Sequence, residues 1–177
     1  MSETYSHFLQ HPVFKVVSEL CSQQNIPTFV IGGYVRDSFL GRPCKDIDIV
    51  VVGDGPEFAS LVAAKLRVKN LSIYKRYGTA HFRYKDLDVE FVGARKESYT
   101  EDSRNPSTTP GTLRDDQLRR DFTINALAFN LNQEHFGKLE DPFNGLEDLE
   151  KEIQKNRDDI MHNRQDIAVI YEKMKSK

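Results

Sequence analysis

The sequence predicts an α+β domain carrying a helical extension at its C-terminal end. Three observations lead there. Two short apolar runs, Phe29-Val30-Ile31 and Ile47 to Val52, each run into a glycine and then into a helical pattern. A close succession of strand candidates follows between Ile73 and Phe91. From Leu146 onward the apolar residues change to a seven-residue spacing. With 38% hydrophobic residues among 177, the chain can bury one ordinary core and a small appendage. We therefore expect one domain over residues 1–150 and a C-terminal helix over 151–177.

Taken in order, Val13, Val16, Val17, Leu20 and Cys21 share one face at helical spacing, with Pro12 suited to the first turn, so an N-terminal amphipathic helix is expected. Phe29 to Ile31 reads as a strand, Gly32-Gly33 as a turn, and Tyr34 to Leu40 as a short helix closed by Gly41. Ile47 to Val52 is β-branched and lies between Pro43 and Gly53, which marks a second strand, and Pro56 to Leu66 reads as a helix. Ile73 to Tyr77, Thr79 to Tyr84 and Leu87 to Phe91 suggest a meander. Lys96 to Asp116 is polar, holds Pro106, Pro110 and Gly111, and predicts a long mobile loop. Arg119 to Ala128 looks helical. Phe129 to Leu131 and Lys138 to Glu140 are expected to pair as a hairpin.

In the last segment Leu146, Leu149, Ile153, Ile160, Ile167, Ile170 and Met174 fit heptad a and d positions, with Asn156 and Asn163 at two d positions. Two readings stand side by side: a helix packed on the domain, or a self-associating coiled coil making a homo-oligomer through residues 146–177.

Charge and composition remove whole classes. Lys plus Arg number 25 and Asp plus Glu 27, a formal charge of −2, which excludes a protein that holds nucleic acid by net charge alone. No apolar stretch approaches the roughly 20 residues of a membrane helix, and the start lacks the regions of a secretory signal. A soluble, cytoplasmic protein that does not engage a membrane is expected. Cys21 and Cys44 make neither a disulfide framework nor a zinc cluster, so metal chemistry, if present, must use carboxylates.

Carboxylates occur where such chemistry needs them. Asp46 and Asp48 flank Ile47 at the mouth of the second strand, and strand alternation sends both to one face. Two anions there repel, which packing does not reward but a divalent cation does, since Mg²⁺ combines carboxylates with water and substrate phosphates. The alternative is a solvated strand end. Just upstream, Gly32-Gly33 sits between a strand and a helix, where backbone N–H groups can approach phosphate oxygens. The alternative there is a tight turn with Arg36 and Asp37 simply pairing. Asp86, Asp88 and Glu90 alternate along a later strand, and Glu90, between Val89 and Phe91, is the deepest candidate for a third acid. Arg119-Arg120-Asp121, with Asn125 following, reads either as a solvated face or as groups that neutralise a triphosphate and meet ribose hydroxyls.

In combination, Gly32-Gly33 to Asp37, Lys45-Asp46-Ile47-Asp48-Ile49-Val50, Val89-Glu90-Phe91 with Ala94-Arg95, and Arg119 to Ala128 resemble the head domain of class II nucleotidyltransferases. These are the tRNA CCA-adding enzymes and bacterial poly(A) polymerases of the DNA polymerase β superfamily. The resemblance covers about residues 10 to 150. It implies a mixed sheet flanked by helices and two Mg²⁺ ions held by Asp46, Asp48 and, as third acid, Glu90. It also implies ATP and CTP as substrates and an RNA 3′ end, that of tRNA, as acceptor. By position, Gly32, Gly33 and Arg36 would lie near the triphosphate, with Arg36 alternatively structural. Arg119, Arg120, Asp121 and Asn125 would contact the nucleotide.

The chain also departs from the family pattern. A helical neck with a Glu-Asp-x-x-Arg motif should follow the head, but Glu147-Asp148-Leu149-Glu150-Lys151 comes early and ends in Lys, so transfer by this chain alone, without neck, body and tail, is expected to be impaired. Two competing readings are a catalytically silent nucleotide-binding or oligomerisation module, and a small-molecule nucleotidyltransferase of the antibiotic-modifying kind. The latter usually carries Gly-Ser at the turn and lacks the Arg-Arg-Asp block.

Overall fold

The computed structural model describes residues 4–98 and 107–175. Helix α1 (Pro12–Gln23) starts with proline in its first turn and buries Val13, Phe14, Val17 and Cys21 along one face. Strand β1 (Thr28–Ile31) is buried throughout and turns at Gly32 into α2 (Gly33–Phe39). Strand β2 (Asp46–Val51) follows, then α3 (Gly55–Leu66), whose N-cap Asp54 accepts a hydrogen bond from the Glu57 N–H.

The expected meander is present. Strands β3 (Ser72–Tyr74), β4 (Thr79–Tyr84) and β5 (Leu87–Gly93) pair antiparallel in sequence order. The first of them is shorter than the sequence suggests: Lys75–Tyr77 coil into a 3-10 turn that closes on Gly78 at a φ of 62°. A left-handed residue there reverses the chain before a longer strand can form.

Two expectations fail downstream. The predicted loop over Lys96 to Asp116 is largely structured: β6 (Arg95–Ser98) pairs with β7 (Ser107–Pro110), and α4 (Leu113–Leu118) follows, while residues 99–106 lie outside the described residues. Helix α4 is set by a capping box. The Thr112 N–H donates to Asp115 Oδ2 at 2.8 Å, and the Asp115 N–H donates to Thr112 Oγ1 at 3.2 Å. Conversely, Arg119 to Ala128 is not a helix. Arg119 is the C-cap of α4, Thr123–Asn125 form a 3-10 turn, and β8 (Ala128–Asn130) has already begun. The Gln117 amide donates to the Ala126 carbonyl at 2.7 Å and to the Glu140 carbonyl at 3.1 Å, which ties the end of α4 to the segment entering β8 and to β9. Strand β9 (Leu139–Glu140) pairs with β8 as the predicted hairpin.

Seven strands form one mixed sheet in the order β3-β4-β5-β2-β1-β8-β9, in which only β2 and β5 run parallel. Alternation divides its two faces. Ile47, Ile49, Val89, Phe91, Ala80 and Phe82 are buried on one face, where the rings of Phe58 on α3 and Phe91 lie 6.0 Å apart. Helix α3 starts close against the end of β5: a β-carbon on Gly55 would stand 2.6 Å from the Gly93 nitrogen. The opposite face carries a second, smaller core of Phe29, Ile31, Val50, Ala94 and Ala128, joined by Val52 and by Leu113 of α4. Partly buried Leu113 therefore packs α4 on the same face that Asp46 and Asp48 share.

The chain divides into two compact units, Met1–Gly145 and Leu146–Lys177. The second consists of helix α5 (Gly145–Lys175). Among the described residues no helix is long and apolar enough to cross a membrane.

Candidate active site

Strand register brings the acids together. On β2, Ile47 and Ile49 point into the core and Asp46 and Asp48 to the other face, with Asp46 exposed and Asp48 half-buried. The parallel register sets Asp46 beside Asp88 and Asp48 beside Glu90, so Glu90 is the acid nearest the buried end of the pair, as expected. Burial pushes the Asp48 carboxyl up from its ordinary value, Asp46 and Asp116 adding to the rise while Arg120 opposes it. The Glu90 carboxyl is likewise raised, first by burial and then by Asp48, with His81 and Arg95 pulling the other way.

Gly32 stands at the junction. Its φ of 81° and ψ of −133° suit only glycine, and a β-carbon there would lie 3.1 Å from Arg120 Nη1, 3.6 Å from the Asn125 carbonyl oxygen and 3.7 Å from Asp48 Oδ2. The missing side chain thus lets an arginine and an acid approach one backbone turn. Gly33 opens α2 immediately after it.

Arg36 is engaged on two sides. Its Nε donates to Asp37 Oδ1 at 2.9 Å and its Nη1 to Asn125 Oδ1 at 2.8 Å, which ties the 3-10 turn Thr123–Asn125 to α2. Asn125 is therefore held by Arg36, a partner that spacing along the chain does not reveal. Asp121 is exposed.

Sequence reasoning missed Asp116, which is fully buried. Its Oδ1 accepts from Arg119 Nε at 2.9 Å and Nη2 at 2.7 Å, and its Oδ2 from Arg120 Nη2 at 3.2 Å. One buried carboxylate thus aims two arginines. The signal available was the spacing, since Arg119 and Arg120 stand three and four residues after Asp116. Arg120 Nη1 also donates to the Asn125 carbonyl at 3.4 Å, and among the described residues its buried Nε has no hydrogen-bond partner.

The donor set suits a hard cation: three carboxylates, oxygen only, two of them raised by burial and mutual repulsion that a cation would relieve. Among the described residues no three His, Cys, Asp or Glu converge into a ready-made cage. Mg²⁺ does not require one, because it is usually held by one or two carboxylates with the remaining positions taken by water and phosphate. A separate cavity of about 940 Å³ lies at the opposite end of β2 and β5, lined by Gly53, Gly93, Arg76 and Tyr77 among others, and contains none of these acids.

The model of the poly A polymerase head domain matches residues 28–154, a span that includes every residue of this site. The chain belongs to that family. This head domain is 40% identical over 111 residues to the A-adding tRNA nucleotidyltransferase of Aquifex aeolicus, covering 63% of the chain and 13% of the relative. Among solved structures it resembles a CCA-adding enzyme in an apo form, with a TM-score of 0.75 and 35% identity over 84% of the chain and 37% of the other. It also resembles a tRNA nucleotidyltransferase complexed with a primer tRNA and an incoming ATP analog, with a TM-score of 0.66 and 36% identity over 76% and 36% of the two chains. The head domain therefore spans far less than half of these relatives.

Proposed function

We propose that this chain is the head of a metal-dependent, template-independent RNA nucleotidyltransferase that extends an RNA 3′ end, by CCA addition to tRNA or by polyadenylation, with ATP and CTP as donors. The observation that carries this reading is the meeting of Asp46, Asp48 and Glu90 on one sheet face beside Gly32 and Arg120. The relatives' names supply the RNA and nucleotide chemistry. Asp46, Asp48 and Glu90 would hold two Mg²⁺ ions, which when bound supply Lewis-acid stabilisation of phosphoryl oxygens and an activated hydroxyl. The RNA 3′-oxygen forms a bond to the α-phosphorus, the bond to the β-phosphate bridging oxygen breaks, and pyrophosphate leaves. Arg120, aimed by Asp116, offsets charge on the triphosphate; Gly32 leaves room for it; Arg36 and Asn125 fix the adjoining turn. Arg119 and Asp121 flank the same turn, where they would meet the nucleotide.

The test is to incubate the chain with Mg²⁺, labelled ATP or CTP, and tRNA lacking its 3′ end. We expect labelled tRNA, and none with Asp46→Ala or Asp48→Ala, both of which should fold because each removes a charge from a repelling pair. Equal transfer by the variants would defeat the assignment. Two thiols without a disulfide suit a reducing compartment such as the cytoplasm. The heptads of α5, with Ile153, Ile160 and Ile167 at a positions, support a parallel homo-oligomer in which Asn156 and Asn163 satisfy one another across the axis.

A further inference from the structure

The sheet face that carries the acids continues past them. On β5, Asp88 and Glu90 share this face; on β4 their register partners Arg83 and His81 do; and on β3, Ser72 and Tyr74 follow, opposite His81 and Thr79. His81 is 41% exposed and its Nε2 lies 3.3 Å from Asp88 Oδ1. Tyr74 is 52% exposed, and the exposed Arg83 makes no side-chain hydrogen bond or ion pair among the described residues. The face is thus divided. Towards β1 and β8 it is packed by Phe29, Ile31, Val50, Ala128 and Leu113, with Arg119 and Arg120 just beyond the end of α4. Towards β4 and β3 it presents an imidazole, a guanidinium and a phenol to solvent.

In-line displacement assigns a use to that division. The attacking and leaving oxygens stand on opposite sides of the α-phosphorus. Gly32 and Arg120, the groups placed for the triphosphate, lie on the β1 side of Asp48, whereas Glu90 lies on its β5 side. A hydroxyl opposite the leaving group must then arrive across β5, from β4 and β3. We propose that Tyr74, His81 and Arg83 form the seat of the single-stranded 3′ end of the acceptor RNA. Arg83 and His81 meet its phosphates and Tyr74 stacks on a base near its terminus. Arg83 also offsets the carboxylates of β2 and β5, which would otherwise repel the strand. This inference rests on the nucleotidyltransferase reading and adds the place of the acceptor.

The test uses the full chain and a short single-stranded RNA with a free 3′-hydroxyl and 4-thiouridine next to last. Under long-wave ultraviolet light the crosslink is expected in the peptide spanning residues 72–85. Arg83→Gln should lower the slope of log affinity against log salt by ~0.7, which is about fivefold in affinity at about 0.1 M salt. Tyr74→Ala should weaken RNA binding by about fivefold or more through lost stacking. Both variants should bind ATP as the parent does in calorimetry and melt at the parent temperature. Crosslinks confined to residues 113–125, no crosslink at all, or unchanged RNA affinity and salt slope in both variants would overturn the seat. Transfer by the parent chain is measured in parallel: transfer without the 72–85 crosslink defeats the seat alone, and a chain that neither transfers nor binds nucleotide defeats the enzymatic reading instead.

Discussion

Replacing Asp116 with Asn keeps the shape of the side chain and removes the charge that holds two arginines. The carboxylate is 0% exposed, while the side chains of Arg119 and Arg120 are 27% and 19% exposed, so both cations stay largely out of water once their partner is neutral. Three hydrogen bonds are lost or weakened, at 2.9, 2.7 and 3.2 Å. Breaking a buried pair from one side costs ~3–5 kcal/mol, and the residual exposure of the arginines argues for the lower end, about 3 kcal/mol. For a domain of this size each kcal/mol moves the melting temperature by about 2–4 °C, so a fall of about 6–12 °C is expected for the Asp116→Asn variant. Differential scanning calorimetry of the variant without nucleotide measures it. The same change frees Arg120 from its aim beside Gly32, so titration with Mg²⁺-ATP should show weaker binding. A melting temperature within about 2 °C of the parent would refute the argument that this carboxylate is an internal counter-ion.

Gly32→Ala forces a β-carbon to 3.1 Å from Arg120 Nη1 at a φ of 81°; we expect a loss of about 1–3 kcal/mol in denaturant titration together with weaker ATP binding. Tyr34 donates its hydroxyl to the Phe8 carbonyl at 2.7 Å and burial pushes its pKa up to about 12. The neutral phenol is the stabilising form, so its contribution is complete below the ordinary tyrosine range and is lost as pH rises through about 12. Ultraviolet titration should show one late phenol that Tyr34→Phe lacks, and a phenol that ionises with the others would contradict the bond. Burial pushes both thiols up, but Cys21 is fully buried and Cys44 only half-buried; native alkylation followed by peptide mapping should label Cys44 and spare Cys21. Light scattering should show the chain as an oligomer, a trimer in preference to a dimer, that Ile160→Asp disperses; a monomer throughout would discard the coiled-coil reading.

Where the chain obeys a short period, the sequence was enough. Ile47 and Ile49 alternate with Asp46 and Asp48, so strand, buried face and acidic face could all be read from six letters. The same holds for Val89-Glu90-Phe91, and for α1 in part: Val13, Val17 and Cys21 are buried as read, but Val16 and Leu20 are only half-buried and buried Phe14 lies outside the predicted stripe. Legibility failed where tertiary bonds override local pattern. Pro110 and Gly111 made the segment before α4 read as loop, although Thr112 and Asp115 carry a capping box only one residue later. The arginine pair read as part of a following helix because nothing local shows that Gln117 binds the Ala126 carbonyl, nine residues on, and draws the chain back against α4. Asp116 escaped notice for a related reason: a charged residue beside a second aspartate looks solvated until its partners close over it. The role of Arg36 depends on Asn125, 89 positions away, and no spacing rule reaches that far.

The parallel register of β2 and β5 acts as a check on assembly. Shifting β5 by a single residue would bring Val89 or Phe91 opposite Asp48 and turn Glu90 towards the core side, against Phe82 and Phe58. Such a slip would strand an anion in apolar surroundings and expose two large hydrophobic groups at once, a penalty comparable to the stability of a whole domain, about 5–15 kcal/mol. The third acid is thus guarded by its neighbours rather than by any contact of its own. Insertions at the Lys85-Asp86 turn that leave the β5 register intact should be tolerated, whereas an extra residue inside β5 would remove the site and the core together. A population of this protein with β5 folded therefore contains few molecules in which Glu90 is misplaced.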